Sequence, residues 1–408
     1  MFCGAIKKLI IMYRILALGD SVIWGLGLRD KHKFVNKVAN SLVSDGLVDD
    51  TQLISLAHAG AIIGSGTSSG YPQAVDSDPT YETEKHYIYG EIGQLYPDVF
   101  TQLRISEYRD GFTGYLEIPH DFNVAEQESR KHYTKTKLGN GWRPDLIIMD
   151  GGMNDMDPFS IMFPFNLSEF TELSADRQLD TFVDRFDSIT TENNLRDIMS
   201  SAFEDRLRRL LTQTTEAYPN AKIIVTGYFP VLTENSFQGL DAAMWTLIVY
   251  NYLTLLSPSW SVSAKAAAMV TSLLTLLGKR KLIERWAMFD EVHAEMMQTA
   301  ISRVNSNNVY FAKPEWGPDN GVYAPDNWLF EWELRDGLQL FSAKDPKEQA
   351  RKDAFDLYAS KRDGMNAIRR STREGRTERA SFAHPNATGA HAFHDAIMNV
   401  ITRNRLIR

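Results

Sequence analysis

Four residues of this 408-residue chain have the types and settings needed for acyl chemistry. Ser21 stands in Gly19-Asp20-Ser21-Val22-Ile23-Trp24-Gly25, directly after a short apolar run. A serine hydroxyl attacks a carbonyl only when a base removes its proton and hydrogen-bond donors receive the charge that develops on the carbonyl oxygen. His384, in His384-Pro385-Asn386-Ala387-Thr388-Gly389, can be that base. Gly60 follows another apolar run and can offer a backbone N–H where no side chain obstructs an approaching oxyanion. Asn154, in Gly152-Met153-Asn154-Asp155, can add its side-chain amide. Asp20 and Asp155 have the short polar side chains that hold loop hydrogen bonds, and that role is expected of them here.

These residues can meet only if the elements beside them are arranged to bring them together. Apolar runs at 13–18, 53–57, 144–150, 221–227 and 308–312 have the length and continuity of buried strands. Between them, Phe34, Val35, Val38, Ala39, Leu42 and Val43 recur at helical spacing before Gly46, and Met199, Phe203, Leu207, Leu210, Leu211 and Thr214 mark a second helix face. A closing helix carries Phe393, Ile397, Val400 and Ile401 on one side. Strands of this kind alternating with helices predict an α/β fold with a doubly wound, parallel five-stranded sheet. In such a sheet ligands bind beyond the carboxyl ends of the strands, where Ser21, Gly60 and Asn154 would lie.

Composition narrows the function. Forty-four Lys and Arg against 52 Asp and Glu leave a formal charge of −8, which argues against non-specific attraction to nucleic acid. Cys3 is the only cysteine, so neither an intrachain disulfide nor a Cys-based zinc site is available. No tight His/Asp spacing suggests another metal site; His391 and His394 read as surface or packing residues of the last helix, and His58 as a residue shaping the loop before Gly60. Residues 1–12 read as an N-terminal tail, Arg14 cuts short the faintly signal-like apolar run that starts at Leu9, and no stretch approaches the ~20 apolar residues of a spanning helix. A cytoplasmic or otherwise soluble protein is expected.

Gly19-Asp20-Ser21, Ala57-His58-Ala59-Gly60-Ala61, Gly152-Met153-Asn154-Asp155 and His384-Pro385-Asn386 with Gly389 occur in this order. Together they resemble the four blocks of the SGNH subgroup of the GDSL hydrolases. The resemblance implies a flavodoxin-like sheet and ester hydrolysis by a serine esterase or lipase, with no metal or cofactor and with a small-molecule or lipid ester as substrate. It makes Ser21 the nucleophile, His384 the general base, and the N–H groups of Ser21 and Gly60 with the Asn154 amide the oxyanion hole. One position departs from the pattern: the family usually places an Asp three residues before the histidine, where this chain has Ser381. A serine cannot stabilise an imidazolium as a carboxylate does. Either a backbone carbonyl near Ser381 orients His384, the favoured reading, or an acid from the preceding segment does, with Asp326, Asp336 and Glu378 the nearest candidates.

The whole of 13–408 reads as a single hydrolase domain, enlarged by a helical insertion at 239–305 and a second insertion at 314–380. The helical insertion contains the apolar residues Trp245, Leu247, Ile248, Val249, Tyr250 and Leu253, followed by Lys279-Arg280-Lys281. Its plainest role is a helical subdomain; a lid over the site, or a peripheral membrane contact, is the sharper one. Arg369, Arg370, Arg373 and Arg376 form a solvated face or receive an anionic group. The alternative to an enzyme is a catalytically weak or inactive hydrolase scaffold that binds a membrane or a partner.

Overall fold

The computed structural model describes residues 12–57, 61–63, 99, 102–103, 142–154, 192–199, 203–236, 279–333, 342–343, 345–346 and 381–407. Five strands, β1 (Met12–Leu18), β2 (Asp50–Ser55), β3 (Leu146–Met149), β4 (Lys222–Thr226) and β5 (Val309–Ala312), form one sheet in the order β2-β1-β3-β4-β5. Every pair in it is parallel. Central β3 reads Leu-Ile-Ile-Met and each of its residues is fully buried. Side chains of this kind contribute about 1.5–3 kcal/mol apiece on full burial, which is why an uninterrupted apolar run settles in the middle of a covered sheet.

Edge strand β2 begins earlier than its apolar run. Asp50, Thr51 and Gln52 pair with Met12, Tyr13 and Arg14 through the backbone, and the strand alternates between buried and partly exposed residues. An edge strand needs only one apolar face, so polar residues enter its ladder.

Helix α1 (Ser21–Trp24) is a single turn after β1, and α2 (Phe34–Ser44) follows it. Chain reversal after α2 uses Gly46 in the left-handed region, with Leu47 and Val48 N–H both donating to the Leu42 carbonyl. Helices α3 (Glu192–Met199) and α4 (Asp205–Ala217) precede β4, and α5 (Lys279–Ser302) precedes β5. The apolar face expected to run from Met199 to Thr214 is therefore shared by α3 and α4, with Phe203 and Glu204 in a wider π-type turn at the start of α4. The chain closes with α6 (Ala387–Asn404), in which Phe393, Ile397 and Ile401 are buried and Val400 is only partly so.

Helices α2 and α6 pack on each other, with Phe34 and Phe393 stacked at 5.0 Å, and α6 also lies on β4 and β5. Helix α5 packs on α3, α4 and β5. An ion pair between Arg196 and Glu295 at 2.5 Å and another between Arg303 and Glu204 tie these helices at their exposed margins. The sheet is thus layered between two helical groups, as a doubly wound fold requires.

Of the helical stretch at 239–305, residues 279–302 are α5. Leu282, Trp286, Phe289, Met297 and Ala300 of this helix are buried, which makes it a layer of the core. Residues 239–278, residues 1–11 of the expected tail at 1–12 and the arginine-bearing segment at 361–380 lie outside the described residues, while Met12 opens β1 rather than ending a tail. So do Asp336 and Glu378. No described helix is long and apolar enough to cross a membrane.

A short antiparallel pair, β6 (Trp332–Glu333) and β7 (Ser342–Ala343), follows the segment at 314–331. That segment carries Trp316, Trp328 and Leu329. Leu329 bridges to Pro385, so the beginning of the expected second insertion supports the loop that holds His384.

Candidate active site

The strand order reverses at β1, whose neighbours β2 and β3 lead the chain to opposite sides of the sheet. The crevice beyond the carboxyl ends of β1 and β3 is where such sheets bind ligands. Ser21 follows β1 by three residues and begins α1. The Asp20 carboxylate caps this turn by accepting from Val22 N–H at 2.8 Å, and Gly25 ends it in the left-handed region.

Gly19 enters the turn with φ +152°, and a Cβ there would stand 1.9 Å from Asp150 Oδ1. Only glycine fits. The close approach lets Asp20 N–H donate to Asp150 Oδ1 at 2.8 Å. Gln102 clasps Gly19 from the other side, accepting from its N–H at 2.7 Å and donating to its carbonyl at 2.9 Å.

Beneath Ser21, then, lies a buried polar cluster. Asp20 and Asp150 are each at most 1% exposed, and Tyr228, just past β4, donates its phenolic hydrogen bond to the second Asp20 oxygen. Burial, and then the charge of Asp20, push the Asp150 carboxyl well above the usual carboxylate range. Among the described residues Asp150 Oδ2 is buried without a hydrogen-bond partner, a setting that disfavours an ionised oxygen. Of the two carboxyls, Asp150 is the one whose surroundings favour the protonated form. Burial followed by the Asp20 and Asp150 charges raises Tyr228 as well, so its phenol stays protonated and remains a donor.

His384 reaches the same place from the opposite end of the chain. Its Nε2 lies 2.7 Å from Ser21 Oγ, and its Nδ1 lies 3.0 Å from the Phe382 carbonyl oxygen. A carbonyl only accepts, so Nδ1 carries the ring proton and Nε2 presents its lone pair to the Ser21 hydroxyl. Asn386 anchors this loop, capping α6 by accepting from Thr388 N–H (2.9 Å) and Gly389 N–H (3.2 Å) while its amide donates to the Asn327 carbonyl (3.1 Å). Gly389 is required by close approach: a Cβ would stand 2.2 Å from the Trp328 carbonyl oxygen. Further hydrogen bonds, from Phe330 N–H to His384 O and from Asn386 N–H to Trp328 O, pin the histidine loop to 328–330.

Asn154 stands past the end of β3, and its amide donates to the Ala61 carbonyl at 2.9 Å. That bond ties the loop after β3 to the loop after β2, and the amide has a second N–H. Gly60, His58 and Asp155 lie outside the described residues. Ser381 is fully buried; its hydroxyl donates to Asp345 Oδ2 at 2.5 Å and its carbonyl accepts from His384 N–H at 3.0 Å. Asp326, one of the candidate acids, instead accepts from Asn320.

Four side chains of this neighbourhood escaped the sequence reading: Gln102, Asp150, Tyr228 and Asp345. Asp150 had a local signal, an acid at the end of a buried strand. The other three had none. On α6, ring nitrogens of His391 and His394 and an Asp395 oxygen lie within 4.8 Å of one another. His394 already uses both nitrogens, on Ser41 Oγ (2.8 Å) and Asp395 Oδ1 (2.7 Å), and thereby fastens α6 to α2.

No protein-family model matches the chain, and no curated protein matches it. Among solved structures it is similar to an extracellular lipase from Streptomyces rimosus at 11% identity, over 95% of this chain and 99% of that one, with a TM-score of 0.40. It is similar also to a phospholipase A1 from Streptomyces albidoflavus, at 11% identity over 95% and 98% of the two chains with a TM-score of 0.37. A family two carbohydrate esterase from Clostridium thermocellum aligns at 10% identity over 96% of this chain and 64% of that one, with a TM-score of 0.33. Function does not travel with likeness at this level, and the chemistry has to be argued from the residues.

Proposed function

We propose that the protein is a serine hydrolase that cleaves carboxylic esters through an acyl-enzyme on Ser21. The observation that carries this reading is the 2.7 Å contact between Ser21 Oγ and His384 Nε2, in the tautomer that leaves Nε2 free to accept a proton. His384 takes the hydroxyl proton as Ser21 Oγ bonds to the ester carbonyl carbon. The tetrahedral oxyanion is received by the N–H groups of Ser21 and Gly60 and by the Asn154 amide. As the C–O bond to the alcohol breaks, the imidazolium returns its proton to the departing oxygen. Water, activated by the same imidazole, then adds to the acyl-enzyme, and the acid leaves with Ser21 regenerated.

The buried cluster supports this chemistry by fixing the turn. A nucleophile and its base must be held to within about 0.5 Å of their productive geometry, and rigid hydrogen-bonded surroundings provide that. The Phe382 carbonyl takes the orienting role of an acid on His384 Nδ1. It fixes the ring and the tautomer without a full negative charge, which leaves less stabilisation for the imidazolium.

A fluorophosphonate probe should label Ser21, and Ser21→Ala should abolish both labelling and hydrolysis of a short p-nitrophenyl ester. His384→Ala should fall almost as far, roughly 10⁴-fold or more, because base and nucleophile act as a unit. Full turnover by Ser21→Ala would overturn the reading. Absence of labelling, together with liposome binding indifferent to Ser21→Ala, would favour a non-catalytic scaffold.

A further inference from the structure

We propose that Asp345 is a positioning carboxylate for His384, acting through the hydroxyl of Ser381; this rests on the reading of Ser21 and His384 as nucleophile and base. Ser381 occupies the place three residues before the base, and its buried hydroxyl donates to Asp345 Oδ2 at 2.5 Å. Asp345 is itself buried, at 8% exposure, and is separated from Ser381 by 36 positions of chain. A charge-assisted hydrogen bond of this length between two buried groups is a strong local constraint.

The constraint acts where the histidine turn is strained. Ala383 is in the left-handed region at φ +61°, a conformation unfavourable for a residue with a Cβ. Ser381 and His384 close the turn through the His384 N–H to Ser381 carbonyl bond, and the Phe382 carbonyl inside it accepts from His384 Nδ1. Fixing Ser381 therefore fixes the carbonyl that orients the base. Asp345 also lies against the segment after the nucleophile: a Cβ on Gly27 would meet Ser381 Cβ at 2.8 Å and Asp345 Cβ at 3.2 Å. The carboxylate thus braces the base-bearing turn against the chain leaving α1. Its negative charge, held on the residue that precedes Phe382, also favours the imidazolium formed during attack.

The test is steady-state ester hydrolysis against pH by the full chain and five variants. Asp345→Asn and Ser381→Ala should each lower kcat about tenfold with KM little changed, well short of the roughly 10⁴-fold loss when a carboxylate bonded directly to the base is neutralised. The double variant should be no worse than either single one, because both remove one interaction. The acid limb of the kcat/KM profile should move to lower pH in Asp345→Asn. Moving the carboxylate, in Asp345→Asn/Ser381→Asp, should restore most of kcat. Ser381→Thr keeps the hydroxyl and should stay near wild type, so Ser381→Ala against Ser381→Thr carries the test if Asp345→Asn does not fold. Wild-type kcat and an unmoved acid limb in Asp345→Asn and Ser381→Ala, with Ser21 still labelled by fluorophosphonate, would overturn the proposal and leave the hydrolase reading standing. Failure of the wild type to be labelled or to turn over would overturn both.

Discussion

Tyr228 donates its phenolic hydrogen bond to the carboxylate of Asp20, so the segment leaving β4 holds the residue that immediately precedes Ser21. The bond crosses 208 positions of sequence and lies wholly in the interior. Tyr228→Phe removes only the hydroxyl and leaves a buried carboxylate short of a donor. Its expected cost is about 1–3 kcal/mol in urea denaturation, with a fall in kcat as the turn loosens.

Asp150→Asn should change how stability depends on pH. The folded-state pKa of Asp150 is raised, so the native protein keeps a proton that the unfolded chain gives up above about pH 4. The favourable contribution is complete below that pH and is lost as pH rises toward the folded value, at up to about 1.4 kcal/mol per unit. An asparagine at 150 keeps the oxygen that accepts from Asp20 N–H and cannot ionise. The variant should therefore gain on the wild type as pH rises, measured by unfolding free energies across a pH series.

His293 supplies the opposite sign. Burial, followed by the charge of Lys313, lowers its pKa to about 3 in the fold. Stability from keeping it neutral is complete above the unfolded value of about 6.5 and is lost as pH falls from there toward the folded one. The ring sits 4.9 Å from Phe203, 4.9 Å from Tyr228 and 5.5 Å from Phe289, and its Nε2 is buried with no hydrogen-bond partner among the described residues. His293→Phe should flatten the acid side of the stability profile, with the thermal midpoint falling less than that of the wild type between pH 6.5 and 4.

Asn386→Ala removes the cap of α6 together with the anchor to Asn327. Loss of the cap alone costs about 1 kcal/mol. Because Asn386 lies two residues from His384, kcat should fall more than stability does. Parallel measurement of ester kinetics and denaturation separates the two effects.

The sheet was legible because its strands are buried on both faces. Leu146 to Met149 and Ile223 to Val225 leave no alternation that would have suggested an exposed face, and the loops that end them carry Gly, Asp, Ser and Asn. Ser21 and His384 could be singled out for the same reason, since each sits at an element boundary with a recognisable local motif. The supporting shell could not. Gln102 is 83 positions from the Gly19 that it clasps, and Asp345 is 36 from Ser381. A single polar residue in a polar stretch gains its meaning only when tertiary packing brings it against a partner, and no periodicity records that event. Nothing local marks which acid of that stretch turns to the histidine loop: Asp326 accepts from Asn320, whereas Asp345 accepts from Ser381.

The 363 positions between Ser21 and His384 also set a timetable. At ribosomal rates of about 5–20 residues per second, roughly 20–70 s separate the emergence of the serine from that of the histidine. Throughout that interval the nascent chain carries a hydroxyl with no base beside it. On the proposed reading, reactivity waits for α6 to dock against α2, so a helix made long after the serine is the step that arms the site.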